Sequence, residues 1–224
     1  MGTLYIVATP IGNLKDITLR ALETLQEVDF VLAEDTRVTK KLLSHYNIQT
    51  PLISYHQHSK ESVLEKVFQL LLEQNNLALV TDAGTPGISD PGNELIAFLL
   101  KKNPEIKIVP IPGASAHVVL ASIVGIPMDK FLFLGFPPQK KRRKKFFEEV
   151  ISSKHPVLFY ESPHRILKSL EELRLLDKDL RLVVGRELTK VFETIYRGSV
   201  EDVAKQLQKE KPRGEFVVLV QNVD

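Results

Sequence analysis

The sequence predicts an α/β protein made of two α/β domains. Short apolar, β-branched runs alternate along the whole chain with segments of helical period. Turns rich in Pro and Gly follow several of those runs. The strand runs number nine or ten, more than one ordinary sheet holds, so two sheets are expected, meeting near residues 112–118.

In order, residues 4–8 read as the first strand, and Leu19, Leu22, Leu25 and Val28, recurring every three residues, mark the first helix. Strand 30–33, helix 38–45, strand 52–54, helix 61–74 and strand 77–81 continue the alternation. Asp90 and Pro91 form an N-cap and first-turn pair for a helix running through Leu100. Strand 106–111 closes the first set, which places the domains at 1–114 and 115–224. The second set opens with helix 116–124, strand 131–135, helix 144–152 and strand 157–160. Ser162 and Pro163 make a second cap pair for a helix to Leu176. Strands 182–186 and 194–197, helix 200–209 and strand 216–221 complete the chain.

At 224 residues and 43% hydrophobic, the chain can bury a substantial core, which argues against disorder. It has no Cys, which excludes disulfides, thiolate zinc sites, iron–sulfur clusters and a Cys nucleophile, so its chemistry must use oxygen and nitrogen groups. Residues 1–14 carry no basic leader and reach Pro10 and Gly12 early. The long uncharged stretch 108–128 is interrupted by Pro110, Pro112, Gly113, Gly125 and Pro127, so no membrane span is expected. A soluble, cytoplasmic protein is the expectation.

Charge is nearly balanced, 30 basic against 28 acidic residues, but Lys140, Lys141, Arg142, Arg143, Lys144 and Lys145 are consecutive. Setting those six aside leaves 24 basic against 28 acidic residues, so one segment holds the positive excess. A helix start disfavours cations, which argues for an anionic partner; six adjacent cations could neutralise several nucleic-acid phosphates.

No G-x-G-x-x-G occurs, and Gly87 to Asn93 has P-loop glycine spacing with Asn93 where the phosphate-binding Lys would stand, which discards ATP chemistry. His56 and His58 could share a strand face, but no further ligand lies near and no metal is expected. The densest loop, 81–92, puts three glycines and two prolines between an apolar strand and a helix, where ligands of α/β sheets bind. Loops 9–14 and 112–115 are similar, and the three together could line one pocket. A second class of strand-end segment, 33–37, 159–165 and 186–190, pairs carboxylates with basic residues, as ion pairs or as acid–base groups.

These segments resemble the tetrapyrrole-methylase superfamily, and within it the branch that methylates a cytidine ribose in small-subunit ribosomal RNA. The resemblance runs over essentially the whole chain: residues 4–14, 33–37, 82–92, 112–115, 159–165, 186–190 and 213–216. Around His56 the pattern departs at Gln57, His58 and Ser59, and Arg213 stands where the family often has Lys. The resemblance implies S-adenosylmethionine as methyl donor in a cleft between two domains, 16S ribosomal RNA or the small ribosomal subunit as partner, and a homodimer. It implies a donor pocket of Pro10, Gly84, Thr85, Pro86, Ile88, Ser115, Ala116, Tyr160, Glu187, Gly214, Glu215 and Phe216.

Methyl transfer to a ribose oxygen needs positioning and removal of one weakly acidic proton, so Glu161, Glu187 or a neutral Lys190 is expected to orient or deprotonate the hydroxyl. The RNA side is expected to comprise Glu34, Asp35, Arg37, His56, Lys140, Lys141, Arg142, Arg143, His164 and Arg165. Two other readings are methylation of a tetrapyrrole or a translation-factor side chain, which the basic run disfavours, and a non-catalytic RNA-binding assembly factor, which leaves the charged strand ends without a use.

Overall fold

The computed structural model describes residues 1–56, 59–209 and 212–221, and the chain divides into two units, Met1–Ser115 and Ala116–Asp224. In the first, β1 (Thr3–Val7), β2 (Phe30–Ala33), β3 (Leu52–Ser54), β4 (Leu77–Leu79) and β5 (Lys107–Ile111) form one sheet in the order β3-β2-β4-β1-β5, with every pairing parallel. Period-2 alternation splits its side chains cleanly. Leu4, Leu32, Leu77 and Leu79 face α3 (Glu61–Leu72) and α4 (Asn93–Lys102), whereas Val7, Val31, Ala33 and Ala78 face α1 (Leu19–Glu27) and α2 (Thr36–His45). Both sheet faces are therefore buried, which is why these strands read as continuous apolar runs.

The second unit holds α5 (Ala116–Ala121), β6 (Leu132–Phe133), α6 (Arg143–Ser152), β7 (Val157–Glu161), α7 (Ile166–Leu176), β8 (Arg181–Arg186), β9 (Thr194–Ser199), α8 (Val200–Lys209) and β10 (Phe216–Gln221). Its sheet order is β6-β7-β10-β8-β9, parallel only between β6 and β7. Phe159, Val184, Phe216 and Val218 pack on one face beneath α6, α7 and α8, while α5 packs against β7 and β10.

The two proposed caps start their helices later than expected. Gly92, not Asp90, is the N-cap of α4, with φ +144° and no side-chain cap bond. The chain first folds back: the Gly87 N–H donates to the Pro91 carbonyl, and the Asn93 side-chain amide donates to the Gly87 carbonyl. Pro163 likewise sits in a turn, Ser162 accepts from the Arg165 and Ile166 N–H groups, and regular helix begins only at Ile166. Among the described residues no helix is long and apolar enough to cross a membrane.

Candidate functional site

In the first unit, β1 and β4 are neighbours whose onward connections run to opposite sides of the sheet, to β2 and β5. That is the topological switch point at which α/β sheets bind ligands beyond their carboxyl ends. The loops leaving these strands are knit together there. Thr9 N–H donates to the Gly84 carbonyl at 2.9 Å, Gly84 N–H returns to Thr9 at 3.1 Å, and the Thr9 hydroxyl donates to the Thr81 carbonyl. The Thr85 hydroxyl donates to the Ala114 carbonyl at 3.2 Å, drawing in the third small-residue loop. A Cβ on Gly113 would lie 2.9 Å from that of Ala8, so glycine permits this approach, and Gly84 holds φ +88°. Pro10 and Pro86 are buried, Thr85 and Ser115 half-buried, and Ile88 is exposed at 42%. These surfaces offer backbone amides and carbonyls with small side chains, so a ligand there would meet the backbone directly.

At the end of β2, Asp35 caps α2, accepting from the Arg37 N–H, and grips the Arg37 guanidinium at 2.6–3.2 Å. Arg37's hydrogen bonds hold the Asp35 carboxyl at about 2. The Asp35 N–H donates to Asp82, whose carboxyl burial pushes up, and the Thr81 hydroxyl donates to Glu34. The strand-end charges of 33–37 thus form a local network around β2 and β4 in which Arg37 is already neutralised. His56 is exposed, with its N–H on the Ser59 hydroxyl; His58 lies outside the described residues.

In the second unit, Glu161 at the end of β7 is fully buried. One carboxylate oxygen accepts from the Ser162 N–H at 2.7 Å and is ion-paired with Arg165 Nε at 2.9 Å, whose N–H donates to the Ser162 hydroxyl; the other accepts from the Ser169 hydroxyl at 2.6 Å, with Arg143 at 3.7 Å. Arg143 is 5% exposed and continues to Glu172 at 2.7 Å, to Ser169 and to the Pro138 carbonyl, with its guanidinium over the Phe147 ring. Two buried or half-buried guanidiniums thus balance two carboxylates. This corrects three expectations. Glu161 is enclosed as a counter-ion, its buried carboxylate held by two hydrogen bonds and two guanidiniums; Arg143 and Arg165 are ion-paired to it rather than free phosphate ligands, and Arg165 also holds the Pro137 carbonyl. The clamp ties the stiff loop before α6 to α7, and only Lys140, Lys141, Arg142, Lys144 and Lys145 of the basic run are exposed. Arg142 turns the chain with φ +65°. His164 lies exposed in the turn before α7.

Glu187, just past β8, forms the other charged cluster. Its Oε1 accepts from Lys190 Nζ and from the Glu215 N–H, both at 2.9 Å, and Lys190 also reaches Glu215 at 2.8 Å. Oε2 of Glu187 makes no hydrogen bond among the described residues. Burial pushes the Glu187 carboxyl up, but Lys190, the Glu215 N–H and Arg186 outweigh it and hold it below the usual value. Burial pushes Lys190 down, and its two carboxylates outweigh that and hold it above. Lys190 is thus ion-paired to two carboxylates, a setting that favours its charged form over a neutral base. Gly214 has φ +82°, and a Cβ there would fall 2.3 Å from the Glu187 carboxyl carbon, so the glycine makes room for this carboxylate. Phe216 is 1% exposed inside the core, and its backbone lies in the sheet between β7 and β8.

Tyr160 on β7 brings in a residue that the sequence reading passed over. Its hydroxyl lies 2.9 Å from His117 Nδ1 on α5, and the imidazole stacks on Phe133 with centroids 4.1 Å apart. Burial pushes His117 below its usual pKa. His117 follows directly after Ser115 and Ala116 at the end of the 112–115 loop, and as the one ring nitrogen donor in an uncharged stretch it carried a signal. Ser169 and Glu172 also had one: with Arg165 they sit at i, i+4 and i+7, a single helix face.

The comparisons agree on one family. The family profile of Tetrapyrrole (Corrin/Porphyrin) Methylases matches residues 3–204. A Halalkalibacterium halodurans protein named Ribosomal RNA small subunit methyltransferase I is 46% identical over 98% of this chain and 76% of its own length. A Thermotoga maritima protein of the same name is 41% identical over 98% of both chains. Among solved structures, a diphthine synthase matches with TM-score 0.75 at 16% identity over 99% of this chain and 90% of its own. A cobalt precorrin-4 methyltransferase matches at 0.73 and 20% over 97% and 94%; both likenesses bear on fold alone.

Proposed function

This chain belongs to the tetrapyrrole methylase family, and from that premise we propose that it transfers a methyl group from S-adenosylmethionine to the ribose 2′-oxygen of a cytidine in 16S ribosomal RNA. The observation that carries the reading is the near-full-length identity, 41–46%, to proteins named for methylating small-subunit ribosomal RNA. The corrin and diphthine enzymes share only the fold, so a tetrapyrrole or translation-factor substrate has less support.

In the proposed transfer the ribose oxygen would bond to the methyl carbon as its bond to the sulfonium sulfur breaks, leaving a neutral thioether, and the hydroxyl proton would pass to water. The first unit's residues fit such a ligand: glycine-opened backbone at 84 and 113 and small side chains at Thr85 and Ser115. Glu187 is the remaining carboxylate of the three catalytic candidates. Lys190 and the Glu215 N–H fix one of its oxygens and leave the other to accept a hydrogen bond from the ribose hydroxyl or from the donor. Held below the usual glutamate pKa, it is a weak base that orients more than it deprotonates. The exposed cations Lys140, Lys141 and Arg142 hold RNA phosphates. A cytoplasmic homodimer belongs to the same reading.

Tritium from methyl-labelled donor should enter 16S ribosomal RNA only with enzyme present, and alkaline cleavage should stop at one cytidine whose ribose resists hydrolysis. Label in RNA with no protected ribose would refute the 2′-oxygen as target. Label entering a protein or tetrapyrrole instead would refute the substrate.

A further inference from the structure

The first unit carries a groove that this function does not yet use. It lies between α2 and the segment entering β3, has a volume of about 550 Å³, and is lined by Arg37, Lys40, Ser44 and Gln49 above a floor of Leu43 and Ile48. Arg37, Lys40, Lys41 and Ser44 fall at i, i+3, i+4 and i+7, so they form one stripe along α2. The helix holds three formal cations and no acidic residue over Thr36–His45, although the unit around it has more acidic than basic residues. Asp35 offsets Arg37, but neither Lys40 nor Lys41 has an ion-pair partner among the described residues, and both are exposed. No carboxylate lines the groove.

We propose that this groove is a second RNA contact, holding a single-stranded segment of the substrate with phosphates against Lys40 and Lys41 and a sugar or base edge over Leu43 and Ile48. The inference rests on the ribosomal RNA reading above. An open, cationic groove with an apolar floor matches the mixed chemistry of single-stranded RNA: one charge per nucleotide, and flat apolar faces between. A protein partner would have to bring an acidic face.

The test uses the full chain, with a single-stranded 16S ribosomal RNA fragment as probe. Lys40→Gln with Lys41→Gln should weaken RNA binding at least about fivefold and lower the slope of log affinity against log salt by about 1.4, at roughly 0.7 per phosphate contact. Ser44→Trp, which fills the groove without changing charge at an exposed position, should weaken binding with the slope unchanged. Donor affinity should not move in either variant. Wild-type protein that methylates the RNA, alongside variants with unchanged RNA affinity and slope, overturns the groove and leaves the proposed activity standing. Wild-type protein that binds but never methylates the RNA overturns the activity, and the binding comparison still decides the groove. A fall in molecular mass by light scattering in the lysine variant assigns the stripe to a second copy of the chain and also overturns the proposal.

Discussion

Replacing Glu161 with Gln separates a structural carboxylate from a catalytic one. The substitution preserves shape and deletes one negative charge from a cluster of two carboxylates and two guanidiniums in which Glu161 is fully buried and Arg143 is 5% exposed. Removing one partner of a buried pair costs about 3–5 kcal/mol. Arg165 keeps a quarter of its side chain in solvent and Arg143 keeps Glu172 at 2.7 Å, which places the cost near the low end, about 3 kcal/mol. At roughly 2–4 °C per kcal/mol for a chain of this length, the unfolding midpoint should fall by about 6–12 °C. Methyl transfer measured well below that midpoint should change little. The assays are calorimetric unfolding and initial rates of label transfer. A double-mutant cycle with Arg165→Gln should return a coupling above about 0.5 kcal/mol. An unchanged midpoint with a rate loss of a hundredfold or more would refute the reasoning and return Glu161 to the base role.

The basic run should divide by burial: Lys140→Gln, Lys141→Gln and Arg142→Gln together should reduce the salt slope of RNA binding by about 2, whereas Arg143→Gln should lower the unfolding midpoint and leave the slope alone. Equal salt slopes for the triple variant and wild type, by filter binding, would remove this segment from the RNA interface. Gly214→Ala forces a side chain into a left-handed conformation at a cost of about 1–2 kcal/mol and drives its Cβ into Glu187, so donor affinity by calorimetry should drop along with stability. An unaltered Glu187–Lys190 pair in the variant's structure contradicts this. The same pair predicts a pH dependence. The depressed Glu187 gives stability that is present above its usual pKa of 4.5 and is lost on acidification, while the raised Lys190 gives stability that is complete below 10.5 and is lost above it. The gap in unfolding free energy between wild type and Lys190→Met should therefore be flat at intermediate pH and narrow at both ends; a gap that widens above pH 10.5 has the wrong sign.

Much of the candidate site was visible in one dimension because it depends on local chemistry. Glycine and proline clusters after apolar runs marked the loops at 9–14, 81–92 and 112–115, and the structure ties these three together through Thr9, Gly84 and Thr85. What eluded the sequence was the partner of each charged group. Arg143 is one of six adjacent cations and looks like the rest, yet it turns inward because Arg142 adopts a left-handed conformation before α6 and Phe147 offers a face for the guanidinium. Glu161 and Glu187 each sit near basic residues in sequence, and only their burial and bonding tell the structural carboxylate from the one with an oxygen to spare.

By itself, the amino-acid sequence determined the alternation of strands and helices and the absence of any thiol chemistry, because periodicity and composition act over neighbouring residues. Tertiary structure alone decided which charges are spent. An ion pair forms between groups brought together from distant points in the chain, such as Arg143 with Glu172 and Lys190 with Glu215, and burial then determines whether that pair holds the fold or remains open to a ligand.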